Sequence, residues 1–355
     1  MEPAIHGDLL PVGTKATLDL SVVCPFYNEE EIVGEAIRSL LDRLRRFDVT
    51  WELIVVNDGS TDGSEEIARA IRREHPELRV LGYPFNRGRG HALRAGIGQA
   101  RGEILVTTEI DLSWGEDIVG RLHRAILERP EVDIVVASPH LPGGGYRNVP
   151  AKRVFFSRFG NWVIRLCMAN AVTMNTGMTR AYRRHAIRSL PLEEDRKEFH
   201  LEVVLKAQAL HYRFHEIPAT LEWKEYKHRG KRVRRRSSSK VNRLIVTHSL
   251  FSLFANPIRS VWALSFLSLF LSGGFLVAGV VRFALGLVSV YMAILSVGLA
   301  IIALILFCFG LIAQQGHMIQ RELWRLKQDL GHGVGGGEPS PPEPSRRELA
   351  REETG

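Results

Sequence analysis

The sequence predicts an α/β fold: a mostly parallel, doubly wound sheet followed by a two-helix transmembrane hairpin. Strand and helix signals alternate along residues 18–225. The strand candidates are continuous apolar runs, the pattern of strands buried on both faces. Beyond Pro257 the character changes. Residues 260–281 carry no charge over 22 positions, and residues 286–313 carry none over 28. Each stretch exceeds the roughly 20 residues needed to cross a bilayer.

The elements follow in order. Residues 1–17 form a loose lead-in with acidic, Pro and Gly residues and no apolar segment, so no signal peptide is expected. "LDLSVVCPFYNEE" is an apolar run broken by Pro25. The next segment has helical spacing at Ile32, Ala36, Ile37, Leu40, Leu41 and Leu44. "WELIVVNDGSTDGS" is a strand ending in turn residues, and Ser64 is placed to cap the helix "SEEIARAIRREH". "LRVLGY" is a short strand, "GHALRAGIGQAR" a helix, and "GEILVTTEID" a strand that should stay extended to Asp111. One more helix precedes the strand "EVDIVVAS". In such sheets ligands bind at the carboxyl ends of the strands. The polar tails "NDGSTD" and "TEIDLS" stand at two of those ends.

Charge is unevenly spread. The net charge is +8, yet no Asp or Glu occurs from Tyr226 to Arg321. Arg229, Lys231, Arg232, Arg234, Arg235, Arg236, Lys240 and Arg243 crowd into that span. A polyanionic partner is implied. Nothing aromatic is interleaved and the apolar hairpin follows at once, so anionic membrane lipid fits and nucleic acid does not. Basic residues before the first apolar helix and after the second (Arg321, Arg325, Lys327) put both flanks in the cytoplasm by the positive-inside rule. A multi-pass cell-membrane protein with a cytoplasmic catalytic domain is expected. The division is a lead (1–17), a catalytic domain (18–225), a basic juxtamembrane segment with an interfacial helix around 244–254 (226–256), two transmembrane helices (257–314) and a tail (315–355) disordered after 331. Cys24, Cys167 and Cys308 have neither ligand nor disulfide spacing, which suits a reducing compartment.

"VVCPFYNEEEIV", "WELIVVNDGSTDGS", "NRGRGHALRAGIGQARGE", "TTEIDLSW" and "NTGMTRAYRR" occur in one order. In that order they resemble family 2 glycosyltransferases with a GT-A fold, and within them the dolichol-phosphate mannose synthase and polyprenyl-phosphate glycosyltransferase branch. The resemblance covers roughly residues 18–245 and extends to the C-terminal hairpin. It implies a nucleotide-sugar donor, a polyprenyl phosphate acceptor and Mg2+ or Mn2+.

For the nucleotide it implies Pro25, Tyr27 and Glu29 in "PFYNE", Asp58 in "NDGSTD" and Gly88 in the Gly-rich loop. Asp62 is either a second contact or a turn and cap residue. Arg87 and Arg89 either add positive charge beside the nucleotide or are solvated. Glu109 and Asp111 are an acid pair at a strand end, placed to hold a divalent ion that neutralises the departing diphosphate; the plain reading is two surface carboxylates capping the next helix. The family usually has Asp first, and often Gln two residues beyond the second Asp; here these are Glu109 and Ser113. If the chain stays extended, 109, 111 and 113 share one side. For the acceptor phosphate it implies Arg153 and Ser157, which share a helix face, with Arg180, Ser239 and Lys240; Lys152 and Arg158 are alternatives. Pro139 and His140 replace a customary Arg and Tyr, Asn175 an Asp, Met178 a Phe and Ser238 a Gly. Asp111, Arg153 and Ser157 are the expected catalytic residues.

The expectation is inverting transfer of a hexose from a GDP-mannose or UDP-glucose type donor to polyprenyl phosphate. A phosphate oxygen is already a nucleophile, so the reaction needs positioning and charge neutralisation more than a general base. Another lipid acceptor, or a catalytically impaired membrane scaffold, are the alternatives. A hydroxyl acceptor would need a base, for which Glu198 and Glu202 are candidates. A homo-oligomer stays open.

Overall fold

The computed structural model describes residues 5–9, 18–168, 172–223, 226–228, 231–233, 257–287 and 290–333. Four apolar runs become the parallel centre of the sheet: β2 (Leu18–Phe26), β3 (Trp51–Asn57), β4 (Leu78–Gly82) and β5 (Gly102–Thr107). Val22, Val23, Cys24, Leu53 to Val56, Leu105 and Val106 are fully buried, which is why these strands read as unbroken apolar stretches. Between them run α1 (Val33–Leu44), α2 (Ser64–Glu74) and α3 (Arg89–Gln99). Helix α1 buries all of its residues with helical apolar spacing, from Val33 through Leu44.

The sheet has eight strands among the described residues, in the order β1-β4-β3-β2-β5-β8-β6-β9. Strand β1 (His6–Gly7) runs antiparallel to β4 at one edge. After α4 (Ile118–Leu127) come β6 (Ile134–Ser138), β7 (Gly145–Arg147), α5 (Ala151–Met168), β8 (Arg180–Arg183) and α6 (Arg184–Ser189). Strand β8 is antiparallel to both neighbours, β5 and β6. Helix α7 (Phe199–Ala209) leads to β9 (Phe214–Pro218), parallel to β6, and β10 (Thr220–Glu222) pairs with β7.

Two expectations change. Pro25 does not break the run. It is a buried residue of a central strand, in register with Val56 of β3. A central proline normally breaks a ladder. Here pairing of β2 with β5 ends at Val23 and Thr107, and Val23 O accepts the last bond, from Thr108 N. Pro25 has the same parity as Val23, so its missing N–H faces the side that β5 has already left. The strand "GEILVTTEID" likewise stops at Thr107; Leu112 N donates to Glu109 O, and Leu112 has φ 50°. The chain turns instead of staying extended.

Strands β11 (Tyr226–His228) and β12 (Lys231–Val233) form a short hairpin. Ser239, Lys240 and the expected interfacial helix lie outside the described residues. Then α8 (Pro257–Ala284) and α9 (Val290–Gly333) pack on each other. The stretches Val261–Ala284 and Val290–Gly316 have mean hydropathy 2.1 and 2.9, and only 17% and 11% of their apolar windows are buried. Core helices would be covered, so length, composition and exposure together suit a membrane hairpin. Small residues let the helices approach. Ser265, Ser268 and Ser272, spaced along one face of α8, donate to Ala303 O, Leu299 O and Ser296 O at 2.8 to 2.9 Å. Helix α9 continues past its apolar part to Gly333.

Candidate active site

Strand order turns from β4-β3-β2 to β5 beside β2, and at such a switch point the loops at the carboxyl ends part to form a crevice. Two loops line the β2–β3 side and are stitched together. Asn28 N donates to Ser60 Oγ at 3.0 Å, Thr61 N to Asn28 Oδ1 at 2.8 Å, and Glu29 N to Ser64 Oγ at 2.9 Å. Asn28 accepts a left-handed backbone, φ 53°, to make this turn. Tyr27 is 43% exposed at the rim, where its ring is open to a flat ligand. Asp62 resolves as a turn residue ahead of α2: its carboxylate accepts Ser64 N at 3.1 Å, Ser64 Oγ, and Glu30 N at 3.2 Å. Ser64, expected as the cap, is instead the first residue of α2, and the N-cap position is Gly63.

Asp58 was expected to touch nucleotide directly. Its carboxylate is instead occupied by the protein. Oδ1 accepts Tyr83 Oη at 2.6 Å and the backbone N–H of Arg87 and Gly88 at 3.0 Å; Oδ2 accepts Asn86 Nδ2 at 2.9 Å. Burial, then the Asp58 carboxylate, pushes the Tyr83 phenol up, so it stays a donor. Asp58 thus shapes the Gly-rich loop. Gly88 sits at φ 108°, and a Cβ there would lie 2.6 Å from Asp195 O, so no other residue fits that crossing.

The acid pair converges through the turn rather than through strand alternation. Ser113 joins both carboxylates: its Oγ donates to Glu109 Oε2 at 2.8 Å and its N–H to Asp111 Oδ1 at 3.0 Å. Arg89 Nη1 donates to Glu109 Oε1 at 3.3 Å. Beneath them, Cys24 is fully buried, and its thiol is pushed well up by burial first, then by Asp111 and Glu109. No cluster of three or more His, Cys, Asp or Glu side chains is gathered among the described residues. The donor set is two carboxylates and a hydroxyl, all hard oxygens. Mg2+ is commonly held by one or two carboxylates with substrate phosphates and water completing the shell, so the residues present fit such an ion.

Burial pulls the Lys197 ammonium below the usual lysine range, followed by repulsion from Arg89 and Arg153, with Glu198 opposing. Lys197 therefore links Arg89 of α3 to Arg153 of α5. It escaped sequence reasoning, which weighed only the carboxylates of "RKEFHLEV"; a basic residue among acids was the available signal. Asp195 clamps its segment to α3 by accepting from Arg94, from Arg87 at 3.4 Å and from His91 at 3.2 Å. The Arg153 guanidinium lies 4.6 Å over the Trp223 ring. Ser157 Oγ is 3.0 Å from Tyr146 Oη, which is 3.4 Å from His140 Nε2. Burial, then Arg158, pulls His140 down to about 4, so the imidazole is neutral near pH 7. Pro139 and His140, which stand where the Arg and Tyr are customary, add no cation beside Ser157.

Arg180 departs from expectation. It is fully buried on β8, and its guanidinium donates to His200 O at 3.1 Å and Asn175 O at 2.7 Å. It supports the loop under the site and does not face an acceptor. Glu202 is also consumed: it is 3% exposed, receives Lys206 Nζ at 2.6 Å, and accepts Glu193 N and Glu194 N at 2.9 Å. A carboxylate so paired cannot serve as a base.

Residues 21–190 match the model of glycosyl transferase family 2. The chain is 30% identical over 214 residues to dolichyl-phosphate beta-glucosyltransferase ALG5C of Trichomonas vaginalis, covering 57% of this chain and 63% of that protein. It is 34% identical over 164 residues to dodecaprenyl-phosphate galacturonate synthase of Rhizobium johnstonii, covering 46% and 44%. To undecaprenyl-phosphate 4-deoxy-4-formamido-L-arabinose transferase of Pectobacterium carotovorum it is 29% identical over 183 residues, covering 51% and 54%. The chain thus spans less than two thirds of the length of these relatives. Among solved structures it is similar to glucosyl-3-phosphoglycerate synthase from Mycobacterium tuberculosis in complex with Mn2+, UDP and glucosyl-3-phosphoglycerate, with 19% identity over 67% of this chain and 78% of that one, at a TM-score of 0.48.

Proposed function

We propose that the chain, whose residues 21–190 match glycosyl transferase family 2, moves a hexose from a nucleotide sugar to a polyprenyl phosphate, with inversion, at the cytoplasmic face of a membrane. One observation carries the reading. The oxygens of Glu109, Asp111 and Ser113 gather at the switch point, Arg89 pairs with Glu109, and Lys197 lies close enough to feel the charges of both Arg89 and Arg153. Such a pairing suits two phosphate groups: the donor's diphosphate at the acids and the acceptor's phosphate at Arg153 and Ser157. Three relatives are named for transfer to dolichyl, dodecaprenyl or undecaprenyl phosphate, and the apolar hairpin would keep a lipid acceptor within reach.

In this reading Tyr27 and Glu29 hold the nucleoside and Gly88 lets the backbone approach it. Asp58 acts from behind by fixing the 86–88 turn. Glu109 and Asp111 would hold Mg2+ or Mn2+, which supplies charge neutralisation to the departing diphosphate. Arg89 would pass from Glu109 to a donor phosphate oxygen, while Lys197 balances charge between the two phosphates. With Glu202 consumed, no base is needed for a phosphate acceptor and a hydroxyl acceptor loses a candidate. Residues 18–225 would form the catalytic unit, 226–256 a basic collar against anionic lipid, and 257–314 the anchor.

A donor screen on the purified full chain with short polyprenyl phosphates and Mg2+ or Mn2+ tests this. Sugar transfer with at least one donor is expected, and Asp111→Ala should lower kcat by on the order of 10²-fold or more. Metal-independent turnover would overturn the metal assignment. Binding of no nucleotide and turnover of no donor would point to an impaired scaffold.

A further inference from the structure

Beside the large sheet, β7 and β10 form a parallel pair of their own, with Tyr146 level with Leu221 and Arg147 level with Glu222. Its contacts reach both halves of the site. Glu222 N donates to Ser113 O at 2.7 Å, which ties β10 to the turn that gathers Glu109 and Asp111. The next residue, Trp223, donates its N–H to Arg147 O at 3.0 Å, and the centroid of its ring lies 4.6 Å from the Arg153 guanidinium. On β7, Tyr146 Oη is 3.0 Å from Ser157 Oγ.

The ring of Trp223 does for Arg153 what a carbonyl or carboxylate would not. An aromatic face attracts a guanidinium electrostatically and offers no hydrogen-bond acceptor in its plane. The charge is held in place while its N–H donors are not consumed by the contact. Arg180 shows the other case, since its guanidinium is spent on His200 O and Asn175 O. Both Arg153 and Trp223 are half-buried, and such an attraction strengthens as water is excluded. An arginine already settled over a ring also loses less rotamer freedom when an anion arrives.

We propose that Trp223 is a positioning residue: its ring holds Arg153 at a set distance from the acid turn, with the β7–β10 pair as the spacer between them. The inference rests on the acceptor reading above, in which Arg153 meets the phosphate of the lipid. Backbone bonds carry the link from Ser113 through Glu222 to Trp223, and the last step is ring to guanidinium. Acceptor phosphate and donor diphosphate are thereby set beside each other by one small element.

The test uses the full chain in detergent, with geranyl phosphate as the probe and phosphorus NMR titration as the readout. Trp223→Leu should weaken binding of geranyl phosphate about tenfold, because the ring is lost. Trp223→Phe keeps an aromatic face and should recover part of that loss. In an Arg153→Ala background, Trp223→Leu should change the affinity by less than about twofold, since the ring then has no cation to hold. Should Trp223→Leu not fold, the same cycle is read with Trp223→Phe, whose weaker attraction should lower affinity about two- to threefold with Arg153 present and not without it. Unchanged binding in Trp223→Leu would overturn the proposal. Equal weakening with and without Arg153 would also overturn it, because the ring would then act only as packing. If wild type does not bind geranyl phosphate, the acceptor reading falls and this inference with it. If wild type binds and only the Trp223 effects are missing, the acceptor reading stands and this inference alone falls.

Discussion

Lys197 shows how one residue acquires meaning from its neighbours. Burial and two guanidinium groups make its charge costly until an anion arrives. Lys197→Ala should therefore lower kcat/KM by on the order of 10²-fold, and Lys197→Arg should recover part of it, read in the same donor assay with donor and acceptor varied separately. His140 offers a pH test. The folded protein keeps it neutral down to about 4, whereas in the unfolded chain it titrates near 6.5. Above pH 6.5 both states are neutral and its contribution is complete; as pH falls toward 4 the unfolded chain takes up a proton first, and stability is lost. The thermal midpoint of His140→Gln should gain on wild type as pH is lowered from about 6.5 to about 4.

At the scale of elements, the site depends on where strands stop. Strand β5 ends at Thr107, and the turn through Leu112 brings Ser113 onto both acids. The Gly-rich loop depends on Asp58 from below and on the Asp195 segment from above. Gly88→Ala would force a Cβ into Asp195 O at φ 108°. It should destabilise the domain by about 1–3 kcal/mol and weaken nucleotide binding, both readable by thermal shift with and without a nucleoside diphosphate. Asp58→Asn should weaken nucleotide binding through the same loop, since an amide cannot accept all the N–H and O–H donors that the carboxylate now receives.

For the whole molecule, the layout is a sheet with its chemistry at one pole and a serine-packed apolar hairpin. The prediction at this scale is topological: a reporter fused after residue 355 should lie on the same side of the membrane as one fused before residue 1. Opposite sides would exclude the hairpin. Both reporters should be cytoplasmic, because Arg and Lys flank the apolar stretches.

The sequence by itself determined the alternating α/β sheet, the carboxyl-end location of the polar motifs and the apolar hairpin. These follow from composition and periodicity, which act locally and leave a trace at each position. Its motif order also carried the resemblance to family 2 glycosyltransferases, whose model matches residues 21–190. Tertiary structure alone decided which polar groups remain for a ligand. Asp58, Asp62, Arg180 and Glu202 all look like site residues in a one-dimensional reading. Each is consumed by donors or acceptors that the fold places against it, as Asp58 is by Tyr83 and residues 86–88. Lys197 gains its surroundings only where the fold brings Arg89 of α3 and Arg153 of α5 to it. The acid pair "TTEIDLSW" was legible as a pair, but its convergence was attributed to an extended strand when a turn at Leu112 produces it. Hydrogen-bond satisfaction and charge proximity are long-range properties of the folded chain, and no local pattern encodes them.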